Sequence, residues 1–138
     1  MKKIRRDIPF QNMVSAGLED AVRQGTSLDV RIEDGAVVVS ARFTVEMARE
    51  VLEQKLSEEL QELAARVYAH EGIIGHIKAS AEISSIQMYS ITDTILHVKN
   101  GEKDTITVSF AFILFFIELE TAREWTREII DRIQKAAG

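Results

Sequence analysis

The pattern of hydrophobic and polar positions is most pronounced in residues 105–119, the most apolar stretch of the chain. Apolar side chains first occupy every second position from Ile106 to Phe112, which is the period of a strand with one buried face. From Ala111 to Ile117 every residue is apolar. We therefore predict that both faces of this second half are covered, by helices of the chain or by a second subunit.

A β-hairpin is predicted around Asp34-Gly35. The residues on either side of this dipeptide alternate between apolar and polar side chains. A two-residue type I′ turn at Asp34-Gly35 pairs Ile32 with Val37 and places the apolar side chains of both strands on one face. The turn residues and the hydrophobic pattern thus predict the same register.

Three amphipathic stretches predict helices, over residues 8–24 after an N-cap near Asp7, over residues 45–69 after an N-cap at Thr44, and from a capping box at residues 121–124 to the C-terminus. Gly72 is predicted as the left-handed residue that ends the second helix. The outer side of that helix is acidic and is expected to be solvated. Its acidic residues are Glu50, Glu53, Glu58, Glu59 and Glu62.

Further strands are predicted over residues 76–91 and 95–99. The alternation slips at residues 84–85, which predicts either a bulge or a tight turn. The Asn-Gly at residues 100–101 predicts a bulged hairpin that pairs residues 95–99 with the strand at 105–119.

Together these elements predict one α+β domain over residues 1–138, in the order αββαβ(β)ββα. The sheet is expected to be largely antiparallel, with five to six strands and three helices mainly on one face. Helices on one face leave the other face, or the sheet edge, for a second copy of the chain with C2 symmetry. The alternative is an intramolecular sandwich in which helices cover the apolar strand from both sides. The predicted interface residues are Phe112, Ile113, Phe115 and Ile117.

Composition narrows the classes of partner. The net charge is −5, but the first six residues carry four of the 17 basic residues, and beyond them 13 basic residues oppose 22 acidic ones. An acidic body repels phosphate backbones, so nucleic-acid binding is disfavoured. Residues 1–6 are expected to be a frayed, solvated basic terminus. Cysteine is absent, no signal peptide is recognisable and no apolar run is long enough to span a bilayer, so we predict a cytoplasmic protein without membrane association.

No motif for nucleotide binding, nucleophilic catalysis or zinc binding occurs in the sequence. The remaining candidates for chemistry are His70, Glu71 and His76, with His97 further along, which would hold a divalent metal if the helix end and the next strand converged. The competing interpretation gives these side chains structural or surface roles, and no cofactor is predicted.

The sequence therefore favours a small cytoplasmic binding or assembly module that self-associates, as a homodimer, with a ligand or protein partner of undetermined identity. The alternative function is a small metal-dependent enzyme or metalloprotein that uses His70, Glu71 and His76.

Overall fold

The computed structural model describes residues 25–137 except for residues 85–86, 93–94 and 101–102, with residues 87–92 and 95–100 described by their backbone. The predicted basic terminus at residues 1–6 and the predicted helix at residues 8–24 lie outside the described residues. The described part of the chain forms six strands and two helices. They are β1 (Ser27–Glu33), β2 (Ala36–Met47), α1 (Arg49–Ala69), β3 (Ile73–Ser84), β4 (Gln87–Thr92), β5 (Ile95–Asn100), β6 (Asp104–Phe115) and α2 (Leu119–Ala137).

Four of these strands form one antiparallel sheet in the order β1-β2-β6-β3. The α+β class and the antiparallel sheet are as predicted. The predicted sheet of five to six strands is not, because β4 and β5 form a separate two-stranded hairpin. The sheet that carries the core is therefore smaller than the sequence pattern indicated.

The predicted hairpin between residues 95–99 and β6 is wrong. Strand β6 is paired along its whole length on both sides, with β2 from Asp104 to Leu114 and with β3 from Thr105 to Phe115. Each of these partners has twelve residues, whereas β5 has six. The longer strands form more ladder hydrogen bonds and bury more apolar surface, and β5 pairs with β4 instead.

The β1–β2 hairpin has the predicted turn and register. Asp34 and Gly35 have φ angles of 51° and 81°, as a type I′ turn requires, and Ile32 pairs with Val37. One face of the hairpin is consequently apolar and points into the core.

Helix α1 starts later than predicted, because strand β2 continues through Val45 and Met47, whose buried side chains extend its alternation. Strand β6 runs opposite this extension, so Val45 gains a ladder partner in Ile106. Thr44 is therefore a strand residue, and the N-cap of α1 is Ala48, which forms no side-chain capping hydrogen bond.

Helix α2 starts before the predicted capping box. Its first residue is Leu119, and the N–H of Ala122 already donates a hydrogen bond to the carbonyl of Glu118. The predicted core positions Trp125 and Ile129 of this helix are buried. The capping pattern thus identified the helix correctly and placed its first residue too late.

The core lies between one face of the sheet and the two helices. Phe43 and Phe110 meet edge to face at 5.4 Å, and Phe110 stacks on Phe112 at 5.1 Å. Helix α2 packs on β1 and β2, and α1 packs on β3, β6 and α2. Neither described helix is long and apolar enough to cross a membrane.

Helix α1 ends in a Schellman motif whose left-handed residue lies one position earlier than predicted. Glu71 takes this conformation with φ 62°, the N–H of Gly72 donates to the Val67 carbonyl at 2.8 Å, and the N–H of Glu71 donates to the Tyr68 carbonyl at 3.0 Å. Gly72 is needed for space, because an added Cβ would lie 2.6 Å from Ile117 Cδ1. The close approach lets the chain turn directly from α1 into β3.

Candidate association surface

The four predicted interface residues fall on opposite faces of the sheet region. Phe112 and Ile117 are buried in the chain's own core, whereas Ile113 and Phe115 are half-buried on the face that carries neither described helix, here called the helix-free face. Side chains alternate along β6, so neighbouring residues of the apolar run point to opposite sides. Of the four predicted residues, Ile113 and Phe115 are therefore the two that are accessible to another subunit.

The helix-free face is divided into a polar half and an apolar half. Thr44 and Thr107 lie opposite each other in the polar half, with their hydroxyl oxygens 3.3 Å apart. In the apolar half, Val38 pairs with Ile113, and Phe115 pairs with the first residue of β3. The apolar half lies where β6 ends and β3 begins.

Exposed hydrophobic side chains gather at the same end of the sheet. Phe116 is 77% exposed directly after β6, Ile73 is 53% exposed at the start of β3, and Tyr68 is 65% exposed in the last turn of α1. We call Tyr68, Ile73, Phe115 and Phe116 the apolar end. Exposed apolar side chains that cluster in this way are typical of an interaction surface.

Strand β3 is an outer strand of the sheet, and its side away from β6 has no partner strand among the described residues. It has twelve residues without proline, and the side chains of Ala81 and Ile83 on its core face remain exposed. Such an edge is a template for pairing with another chain. The other outer strand, β1, is shorter and carries Arg31, which bonds both Asp29 and Glu33.

The sequence of β3 is nearly symmetric about Ser80. On the two sides of Ser80 stand Ala79 and Ala81, and beyond them the oppositely charged Lys78 and Glu82. Two isoleucines, at positions 77 and 83, complete the symmetric segment. This symmetry is visible in the residue types alone, but only the position of β3 at the edge of the sheet makes it relevant to association.

The acidic side of α1 is not uniformly solvated, because Glu59 is only 4% exposed. Arg132 of α2 donates from Nε to Oε1 of Glu59 at 2.9 Å and to Oε2 at 3.0 Å, and its Nη2 lies 2.9 Å from Oε1. The hydrogen bond to Glu59 raises the pKa of Arg132 above its ordinary value. This ion pair fastens α1 to α2, and we assign it a structural role.

The predicted metal ligands are not brought together by the described structure. His70 Nδ1 lies 3.0 Å from the Arg66 carbonyl, and its ring meets Trp125 edge to face at 4.9 Å on the helix side of the sheet. His76 pairs with Ile113, so it belongs to the helix-free face. Among residues 25–137, as far as they are described, no three His, Asp or Glu side chains are grouped as a metal site. His97 lies in β5, where the backbone alone is described.

An open depression of about 330 Å³ lies at the opposite end of the sheet from the apolar end. Glu46, Lys103 and Gln134 contribute its polar lining. Its open shape and its mixed charges do not select a class of ligand. Within the part of the chain that the structure describes, the outer edge of β3 and the apolar end are the candidate functional surface.

Comparison of the chain with protein-family models, with characterised proteins and with solved structures finds no match.

Proposed function

We propose that the protein is a self-associating assembly module in which the outer edges of two β3 strands pair antiparallel about a twofold axis at Ser80. The observation that carries the proposal is the self-complementary sequence of this exposed edge. In this register Lys78 lies opposite Glu82 of the partner subunit, and Glu82 lies opposite Lys78 of the partner subunit. Opposite charges directly across a strand pair are stabilising, and the twofold axis produces the contact twice.

Neighbouring registers lose this complementarity. With the axis at Ala79, Lys78 lies opposite the partner's Ser80, and with the axis at Ala81 it lies opposite the partner's Ser84. The axis at Ser80, by contrast, also places the small Ala79 beside the partner's Ala81. The charges and the side-chain sizes therefore favour the same register.

The twofold axis of such an antiparallel pair runs perpendicular to the sheet. Directly opposed residues point to the same side, so the described helices of both copies stay on one side of a joined sheet of eight strands. On that side Ile77 lies opposite the partner's Ile83, which covers a side chain that the single copy leaves exposed. Pairing also satisfies the outward backbone groups of both edges.

Charge reversal tests the proposal. Lys78→Glu places a glutamate opposite the partner's Glu82 at both symmetry-related positions. At about 1 kcal/mol per pair, we expect the dissociation constant of the dimer to rise about 30-fold. Glu82→Lys should raise the dissociation constant to a similar extent, and the double variant Lys78→Glu/Glu82→Lys should regain the affinity. Glu53→Lys, on the exposed side of α1, changes the net charge as Glu82→Lys does and serves as the control. Light scattering across a micromolar concentration series gives the dissociation constants.

A cysteine at the axis tests the register directly, because the chain has no cysteine of its own. Opposed residues of an antiparallel pair have Cα atoms about 4.5 to 5.5 Å apart, within the range of a disulfide. Ser80→Cys should form a covalent dimer on mild oxidation, whereas Ser40→Cys, exposed on the inner strand β2, should not. The proposed function is refuted if the parent chain is monomeric at micromolar concentration and the Ser80→Cys variant forms no intermolecular disulfide.

A further inference from the structure

We infer that the β4–β5 hairpin, here called the arm, lies over the apolar end of the partner subunit in the dimer. This inference rests on the β3 pairing proposed above. The arm is inserted between β3 and β6, which pair with each other up to Ser84 and Thr105. It therefore leaves the sheet at the end opposite to Ile73 and Phe116.

The arm has no covering surface within its own described chain. Strands β4 and β5 pair with each other from Gln87-Asn100 to Thr92-Ile95, and neither makes more than a marginal contact with another described element. A two-stranded hairpin on its own is marginally stable in water. A second surface is needed to hold the arm in an ordered position.

One face of the arm is apolar by register. Tyr89 pairs with Val98 and Ile91 pairs with Leu96, and directly opposed residues of an antiparallel ladder share a face. The other face carries Met88, Ser90 and Thr92 of β4 opposite Lys99, His97 and Ile95 of β5, and is the more polar of the two. These four apolar positions on one face of the arm make it suited to contact the exposed residues of the apolar end.

The length of the arm decides which copy it can reach. Within one chain, Ser84 and Ile73 stand at the two ends of twelve-residue β3, about 36 Å apart at 3.3 Å per residue. The segment from Ser84 to Thr92 spans at most about 28 Å when fully extended. The arm is therefore too short to cover the apolar end of its own subunit.

The dimer brings the partner's apolar end to the base of the arm. With the axis at Ser80, Ser84 lies opposite the partner's His76, and the strand continues in the direction of the partner's Ile73. The chain enters β4 only three residues after Ser84. Each arm thus starts beside the apolar end of the other copy, and the exchange is reciprocal.

Mixed cysteine variants test this placement. Ile91→Cys and Phe116→Cys chains, one of them carrying a mass tag, are refolded together and oxidised. We expect a disulfide-linked heterodimer of the two, and none between Ile91→Cys and Ser40→Cys chains. No heterodimer in the first mixture, or an internal disulfide within an Ile91→Cys/Phe116→Cys double variant, overturns the inference. A Met13→Cys chain mixed with Phe116→Cys tests residues 1–24 as a competing occupant, and a link there in place of the arm also overturns it.

The Ser80→Cys disulfide separates the two proposals. If Ser80→Cys forms its covalent dimer while the arm mixture forms none, the β3 dimer stands and the arm inference fails. If neither link forms, the arm inference fails, and the β3 pairing fails with it when the parent chain is also monomeric at micromolar concentration.

A second measurement uses no cross-link. Tyr89→Ser/Ile91→Ser should weaken the dimer at least about tenfold and accelerate chymotryptic cleavage after Phe116, whereas Ser90→Thr, on the opposite face of the arm, should change neither. Unchanged affinity together with an unchanged cleavage rate in the double serine variant contradicts the inference.

Discussion

The ion pair between Glu59 and Arg132 gives a sharp test of how burial sets the strength of a charge contact. The variant Arg132→Met removes the guanidinium but keeps an apolar stem of similar reach. The carboxylate of Glu59 then stays buried, with Lys55 Nζ at 3.9 Å as its nearby cation. Breaking a fully buried pair costs about 3 to 5 kcal/mol. Because the Arg132 side chain is 38% exposed and Lys55 compensates in part, we expect a loss of about 2 kcal/mol.

Urea unfolding at a fixed protein concentration measures this loss, which corresponds to a midpoint shift of about 1 to 1.5 M for a domain of this size. Arg31→Met is the matched control, since Arg31 also makes two ionic hydrogen bonds, at 2.8 and 2.9 Å, but its side chain is 47% exposed and its partners are exposed as well. We expect the control to lose about 0.5 kcal/mol or less. The double variant Glu59→Met/Arg132→Met should recover to within about 1 kcal/mol of the parent chain. Equal losses for the two arginine variants would refute the argument from burial.

The end of α1 supplies two further predictions. Glu71→Gly should raise the free energy of unfolding by about 0.5 to 1 kcal/mol, because Glu71 has a φ angle of 62° that glycine adopts without strain. Glu71→Ala should give no gain when both variants are unfolded with urea. Gly72→Ala should lower the free energy of unfolding by about 1 to 3 kcal/mol, because its Cβ would lie 2.6 Å from Ile117 Cδ1. Ile117→Val removes that methyl group and should restore part of the loss in a double-mutant cycle.

Features that depend on local chemistry were predictable from the sequence. The Asp34-Gly35 turn and its register followed from two residues with positive φ and from the alternation on both sides. The core side of α2 followed in the same way from the spacing of Trp125, Ile129 and Ile133. In each case the determining residues are close together in sequence.

Features that depend on distant partners were not predictable in this way. Strands β2, β3 and β5 are all possible partners of β6, which pairs with β2 and β3. The Asn-Gly pattern at residues 100–101 carries information about β5 alone and none about β2 or β3. Glu59 resembles the other acidic residues of α1 until Arg132 is placed beside it by the packing of the helices. The symmetry about Ser80 could have been found from sequence, but its importance depends on β3 being an outer strand.

The central place of β6 in the sheet also has a consequence for how the chain folds. During synthesis the β1–β2 hairpin is made first. The edge of β2 that pairs with β6 has no partner until β6 is translated, after α1, β3 and the arm. Closing so long a loop is slow compared with forming a local hairpin. In the interval Val39 and Phe43, fully buried in the native state, stay open to solvent and to other nascent chains. Newly made protein should therefore depend on chaperones more than its small size suggests.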